Sequence, residues 1–140
     1  MDLSVKTRSQ TELVDITAEV RRAVAGTGVR EGLCLVSVPH TTAGVTINEA
    51  ADPSVAADIL MVLNQMVPWQ AGYRHREGNS PAHVKSTLLG ASQTVAIANG
   101  DLVLGTWQGI FFCEFDGPRR RQVHVRVLEG QFKQERPGGP

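Results

Sequence analysis

Apolar and polar positions alternate from the start of the chain. Leu3, Val5 and Thr7 share one side of that alternation, which predicts a short first strand. The period then changes. Ile16, Val20, Ala23 and Val24 recur at helical spacing behind Asp15 as the cap, and Gly26 and Gly28 end that helix. Leu33 to Val38 is a nearly continuous apolar run, the pattern of a buried strand. Ala43, Val45 and Ile47 alternate with polar residues in a second strand that ends at Asn48 and Glu49. Asp52 and Pro53 are a cap and a first-turn proline, followed by the stripe Ala56, Ile59, Leu60, Leu63 and Met66. A long loop from Pro68 to Ser80 comes next. Loops of that length inside a compact domain are usually functional or mobile. Asn79 or Ser80 can cap a third helix opened by Pro81, with Val84, Leu88 and Ala91 on its apolar face.

The rest of the chain reads as strand and turn. Thr94 to Ala98 is a strand, and Asn99-Gly100 signals a type I′ hairpin. Leu102 to Phe115 returns as one long strand interrupted by Gly105 and Gly109. It is apolar on both faces, with Trp107, Phe111 and Cys113 on one and Leu104, Ile110 and Phe112 on the other. A strand buried on one face alternates more cleanly, so a neighbouring subunit is expected to cover the second face. Asp116-Gly117-Pro118 turns the chain into a last strand with Val123, Val125 and Val127 inward and Gln122, His124 and Arg126 outward. Residues 1–130 make one domain, and 131–140 are polar and rich in Gly and Pro, a flexible tail unless a neighbour holds it.

Composition narrows the function classes. In 140 residues, Lys plus Arg equals Asp plus Glu at 14 each, so there is no net field to favour nucleic acid or an anionic membrane. No apolar run approaches the ~20 residues of a membrane span, and no signal peptide opens the chain, so a cytoplasmic location is expected. Cys34 and Cys113 lie in apolar strands, where a disulfide is open to them but reduced core thiols are expected.

The chemistry concentrates in His75-Arg76-Glu77-Gly78-Asn79-Ser80-Pro81-Ala82-His83-Val84-Lys85-Ser86. His83 falls in the first turn of the third helix, beside unpaired N–H groups and the positive end of the helix dipole. With Asn79, Lys85 and Ser86 this start can hold an anion. Arg119, Arg120 and Arg121 flank a turn and can add bidentate phosphate contacts, or they are a solvated corner. Gln108 can present its amide to a site. His40, His75 and His83 all sit at element ends or in loops. Three imidazoles with an open position suit a divalent metal, zinc first and magnesium as the alternative, or they are unrelated polar histidines. Asn48 and Glu49 lie close in sequence to His40. Glu49 can be a general base or can orient a histidine, or it is a solvated charge. His124 lies on a polar strand face, outside the site.

Pro39-His40-Thr41-Thr42-Ala43-Gly44-Val45-Thr46-Ile47-Asn48-Glu49, the block from His75 to Gly90, and Leu104-Gly105-Thr106-Trp107-Gln108-Gly109-Ile110 through Glu114-Phe115 and Arg119-Arg120-Arg121 closely resemble the YjbQ family. The resemblance runs from about Leu13 to Leu128. It implies an α+β fold, largely antiparallel sheet with about three helices, and a homotrimer. It also implies a polar site that includes His40, Asn48, Glu49, His75 and His83.

Members of that family are often labelled secondary thiamine-phosphate synthases. The implied activity is a transferase joining a pyrimidine diphosphate to a thiazole phosphate. Dedicated synthases of that kind are (β/α)₈ barrels of upwards of ~200 residues, so this chain would use a different site. Such a reaction needs cations near the departing diphosphate, for which Lys85, the arginine triplet and a metal at the histidines are the candidates. The same residues also suit a non-catalytic module that captures a phosphorylated metabolite or a metal.

Overall fold

The computed structural model describes residues 1–132. Of the tail expected over 131–140, residues 133–140 lie outside the described residues. The elements run β1 (Asp2–Lys6), β2 (Glu12–Asp15), α1 (Thr17–Thr27), β3 (Gly32–Ser37), β4 (Ala43–Glu49), α2 (Pro53–Met66), α3 (Ser80–Leu89), β5 (Ser92–Ala98), β6 (Asp101–Leu102), β7 (Gln108–Glu114) and β8 (Arg120–Glu129). They form two sheets in which every pairing is antiparallel. One has the order β1-β8-β3-β5-β6, the other β2-β7-β4. The fold is therefore α+β with three helices, as expected.

The alternation seen in the sequence builds the main core between the sheets. Val5 of β1, Cys34 and Val36 of β3, Val95 and Ile97 of β5, and Val123 and Val125 of β8 come from the larger sheet. Val45 of β4 with Ile110 and Phe112 of β7 face them from the smaller one, and α1 adds Val20, Ala23 and Val24. A second core lies on the other face of β7. There Cys113 and Phe115 meet Ala82 of α3, with Leu13, Leu60, Leu63, Trp69 and Leu89 packed around them. Sheet, sheet and helices make three layers. Cys34 and Cys113 are free, buried and in different cores.

Several expectations are corrected. The stretch Leu102–Phe115 is not one strand. β6 belongs to the larger sheet and β7 to the smaller, and the segment between them leaves Trp107 exposed. Both faces of β7 are buried within its own chain, between the main core and the α2–α3 layer. The apolarity of β7 therefore does not call for a neighbouring subunit. β2 was not visible in the sequence, because Glu12-Leu13-Val14-Asp15 is too short to show a period. Asp15 precedes the helix cap, which is Ile16, yet its carboxylate still accepts from the Thr17 N–H (2.9 Å) and hydroxyl (2.6 Å).

In α3 the buried face is Pro81, Ala82 and Lys85, while Val84 and Leu88 are exposed. The helix is held to β4 by the Ser86 hydroxyl, which donates to the Ala43 carbonyl at 2.7 Å, and by the Val45 N–H, which donates to the Gly90 carbonyl at 3.1 Å. Gly44 makes this approach feasible, since a Cβ there would lie 2.7 Å from the Gly90 oxygen. Asn99 (φ 54°) and Gly100 (φ 78°) take the left-handed conformation that their hairpin signal demanded.

Candidate functional site

The small sheet has two chemically different ends. Ala43 of β4 pairs with Glu114 of β7, and Glu49 pairs with Gln108. At the rise of an antiparallel strand these ends are ~20 Å apart. The expected site residues are divided between them.

The first end carries the imidazoles and guanidinium groups. His75, in the loop, and His83, in the first turn of α3, stand edge to face with ring centroids 5.3 Å apart. His75 Nε2 is 3.9 Å from the Glu77 carboxylate. Asn79 does not cap α3 with its side chain. Its amide donates to Asp116 at 2.9 Å instead, and its Oδ1 is buried without a partner among the described residues. Arg119 donates to the same Asp116 carboxylate at 3.1 Å and, through Nε, to the Asp116 carbonyl at 2.9 Å. Arg120 is exposed. These contacts put the start of α3 against the turn between β7 and β8.

Beneath that turn lies a network that sequence reasoning missed. Glu114 is fully buried and Arg121 is 3% exposed. Arg121 Nε donates to both Glu114 oxygens at 2.9 and 3.1 Å, and its Nη2 donates to Glu114 and to the Thr42 hydroxyl. The Thr7 hydroxyl donates to Glu114 at 2.7 Å. Burial alone would raise the carboxyl's pKa. The hydrogen bonds from Arg121, Thr7 and the Asp116 N–H, with the arginine charge, outweigh it and hold the pKa below its ordinary value. Arg121 is thus turned into the fold and is not the phosphate contact expected. The signal was available: Glu114 is the one charge in Phe111-Phe112-Cys113-Glu114-Phe115, and Arg121 keeps the inward phase of Val123 and Val125.

His40, half-buried after β3, accepts a hydrogen bond at Nε2 from the Gln122 N–H at 3.0 Å. Burial and then the nearby Arg121 charge lower its pKa. It stands over the Glu114–Arg121 network. Among the described residues no three His, Cys, Asp or Glu side chains are grouped as a metal would need. The three-histidine metal site expected from the sequence does not form within one chain. The residues present do not fit it, because His40 Nε2 is already occupied by a backbone donor.

Two more expectations change. Lys85 points into the layer between α3 and α2, 2% exposed, and donates to Asn64 Oδ1 at 2.6 Å. It is not open to an anion, and burial lowers its pKa. Ser86 is engaged with Ala43.

The other end holds Asn48, Glu49 and Gln108. The Asn48 side chain accepts from the Glu49 N–H at 2.7 Å, and the Gln108 side chain accepts from the Gly105 N–H at 2.7 Å. Beside them is a cavity of about 410 Å³ lined by Glu12, Asp15, Glu49 and Asp52 over Leu60 and Phe111. Among the described residues no Lys, Arg or His lines it, so the charges of its carboxylates repel anions from this cavity. Glu49 cannot serve the histidines of its own chain as a base, because the length of the small sheet separates them.

With this geometry in place, the relatives can be set beside it. The UPF0047 protein YjbQ-like family model matches residues 1–130, and the chain belongs to that family. It is 52% identical over 124 residues to UPF0047 protein MJ1081 of Methanocaldococcus jannaschii, covering 89% of this chain and 90% of that one. It is 50% identical over 127 residues to UPF0047 protein YugU of Bacillus subtilis, covering 90% and 96%. A crystal structure of an uncharacterised YjbQ/UPF0047 family protein from Clostridium acetobutylicum superposes with a TM-score of 0.90 at 52% identity, covering 91% of this chain and 99% of that one. These names state membership and no reaction.

Proposed function

We propose that the histidine and arginine end is a site for a phosphorylated small molecule. The observation that carries this reading is the start of α3: a helix N-terminus with no side-chain cap, beside His75, His83 and Arg119. The helix dipole and the Ser80 N–H favour an anion there, and imidazole and guanidinium groups add donors. The Ala82 and His83 N–H groups already donate to the Asn79 carbonyl and Pro81 has none. Asp116 takes up part of the capacity of Arg119. That leaves the rest of that guanidinium, His40, His75, His83, Arg120 and the Ser80 N–H for the ligand.

On the family resemblance, we extend the proposal to a transferase activity like that of thiamine-phosphate synthase, with these donors bearing the charge of the departing diphosphate. Purified protein supplied with the pyrimidine diphosphate and the thiazole phosphate is expected to form thiamine phosphate. Arg119→Gln should lower the rate by about 100-fold, the cost of losing one such donor. No product beside a working barrel synthase control would remove the catalytic half of the proposal. The second reading is a non-catalytic binding module. It is favoured by the position of Glu49, which leaves the histidine end of a single chain without the expected base. Saturable calorimetric binding of both precursors without turnover would select it. No step here runs through a metal. A divalent ion at His75 and His83, zinc or magnesium, would need phosphate oxygens or another copy to complete its ligands.

We also propose a homotrimer in the cytoplasm. The number three comes from the resemblance. Exposed apolar side chains support an association: Val62 and Met66 on α2, Leu35 and Leu128 on the outer face of the larger sheet. Head-to-tail packing in a closed ring would bring the Glu49 end of one copy to the histidine end of the next. Two free, buried cysteines suit a reducing compartment. No described helix is long and apolar enough to cross a membrane.

A further inference from the structure

We propose that Glu114, acting through Arg121, is a positioning residue that fixes His40 in the Nδ1–H tautomer, so that its ring serves as a hydrogen-bond donor and not as a base or metal ligand at Nε2. The value of that donor rests on the reading of this end as an anion site. The tautomer follows from one contact. A backbone N–H can only donate, and that of Gln122 meets His40 Nε2 at 3.0 Å. Nε2 is therefore the lone-pair nitrogen, and the neutral ring carries its proton on Nδ1. Nδ1 has no hydrogen-bond partner among the described residues. A doubly protonated ring would turn an N–H against the Gln122 N–H, so this contact favours the neutral form.

Two attachments hold the ring, and both lead to Arg121. The first is Gln122, the residue that follows Arg121 in β8. The second is the His40 loop, which Arg121 Nη2 grips at the Thr42 hydroxyl (2.9 Å) and the Thr42 carbonyl (3.3 Å). Glu114 in turn fixes the guanidinium, with Nε at 2.9 Å from Oε1 and 3.1 Å from Oε2. Its remaining acceptor sites take the Thr7 hydroxyl at 2.7 Å and the Phe115 and Asp116 N–H groups at 3.1 and 3.2 Å. A buried carboxylate with every direction filled does not rotate, and it transmits that order to the loop. The lowered pKa of His40 agrees with a ring that stays neutral.

Long-range ¹⁵N–¹H NMR spectra of the full chain read the tautomer of each histidine. Wild-type His40 is expected as Nδ1–H at neutral pH, and inorganic pyrophosphate is expected to shift that resonance. Thr42→Val removes the hydroxyl that Arg121 grips with little change of volume. Glu114→Gln keeps the shape and removes the charge. Each is expected to mix the His40 tautomers and to weaken pyrophosphate about tenfold, the scale of one charge-assisted hydrogen bond. An Nε2–H tautomer in the wild type overturns the proposal, as does an unchanged tautomer in Glu114→Gln or in Thr42→Val, the variant that retains the buried ion pair. If the tautomers respond as stated but pyrophosphate does not bind, the anion-site reading falls and the positioning by Glu114 stands.

Discussion

Glu114 and Arg121 carry opposite charges into the buried region between the sheets, where Thr7 and Thr42 complete their hydrogen bonds. Together they close one end of the space between the sheets. Glu114→Ala would leave a buried guanidinium unpaired, and a loss of about 3–5 kcal/mol in urea denaturation is expected. The pH dependence follows from the lowered carboxyl pKa. The folded state holds this proton less tightly than the unfolded state. The stabilisation is therefore present above the unfolded value, 4.5 in the ordinary case, and is lost as pH falls through the folded one. Lys85 has the same sign at alkaline pH. Its lowered pKa means that the unfolded chain binds the proton more tightly, so stability rises with pH from the folded value up to 10.5. Over the same range the buried thiols, Cys113 pushed up to about 12 and Cys34 also raised, lower stability as pH rises. The Lys85 component is therefore read as a difference: urea midpoints of Lys85→Met should fall more steeply with alkaline pH than those of the wild type. Parallel pH profiles in the two would show that Lys85 contributes nothing.

At the scale of elements, α3 and β4 set the histidine end. The helix starts where Asn79 is drawn to Asp116 and ends where the Gly90 carbonyl accepts from β4. Gly44→Ala would push a methyl group into that carbonyl and part helix from strand. About 1–3 kcal/mol of stability should be lost, read as a lower urea midpoint. Loss of pyrophosphate binding at temperatures where the variant is still folded would tie the helix position to the site. A variant as stable as the wild type would contradict the packing described. The same elements show what periodicity can convey. The apolar phase of α1 and the Asn99-Gly100 turn were legible because local sequence decides them. The buried face of α3 was not, because contact with β4 selects Ala82 and Lys85 over Val84 and Leu88. β7 read as part of a longer strand because a change of sheet at Gly105 leaves no periodic mark.

Across the whole molecule, sequence neighbours and spatial neighbours part company. His75 meets His83, and Asn79 and Arg119 share Asp116, neighbourhoods that the sequence suggests because a helix start and a hairpin turn can be placed from it. Glu49 was grouped with them because it follows His40 closely in the chain, and the extended run of β4 carries it to the far end. A homotrimer in which one copy's Glu49 end meets another's histidine end would restore the grouping. Sedimentation equilibrium at micromolar concentration is expected to return three times the chain mass of 15.1 kDa, and a monomer would sink the idea. The central claim, that the phosphorylated ligand is held at the histidine end, is tested most directly by amide NMR during titration with inorganic pyrophosphate. Saturable shifts are expected at Ser80, Ala82, His83, Arg119 and Arg120, reduced in Arg119→Gln, with Glu12, Asp15 and Asp52 unmoved. Shifts confined to the acidic cavity, or none at millimolar pyrophosphate, would contradict the account.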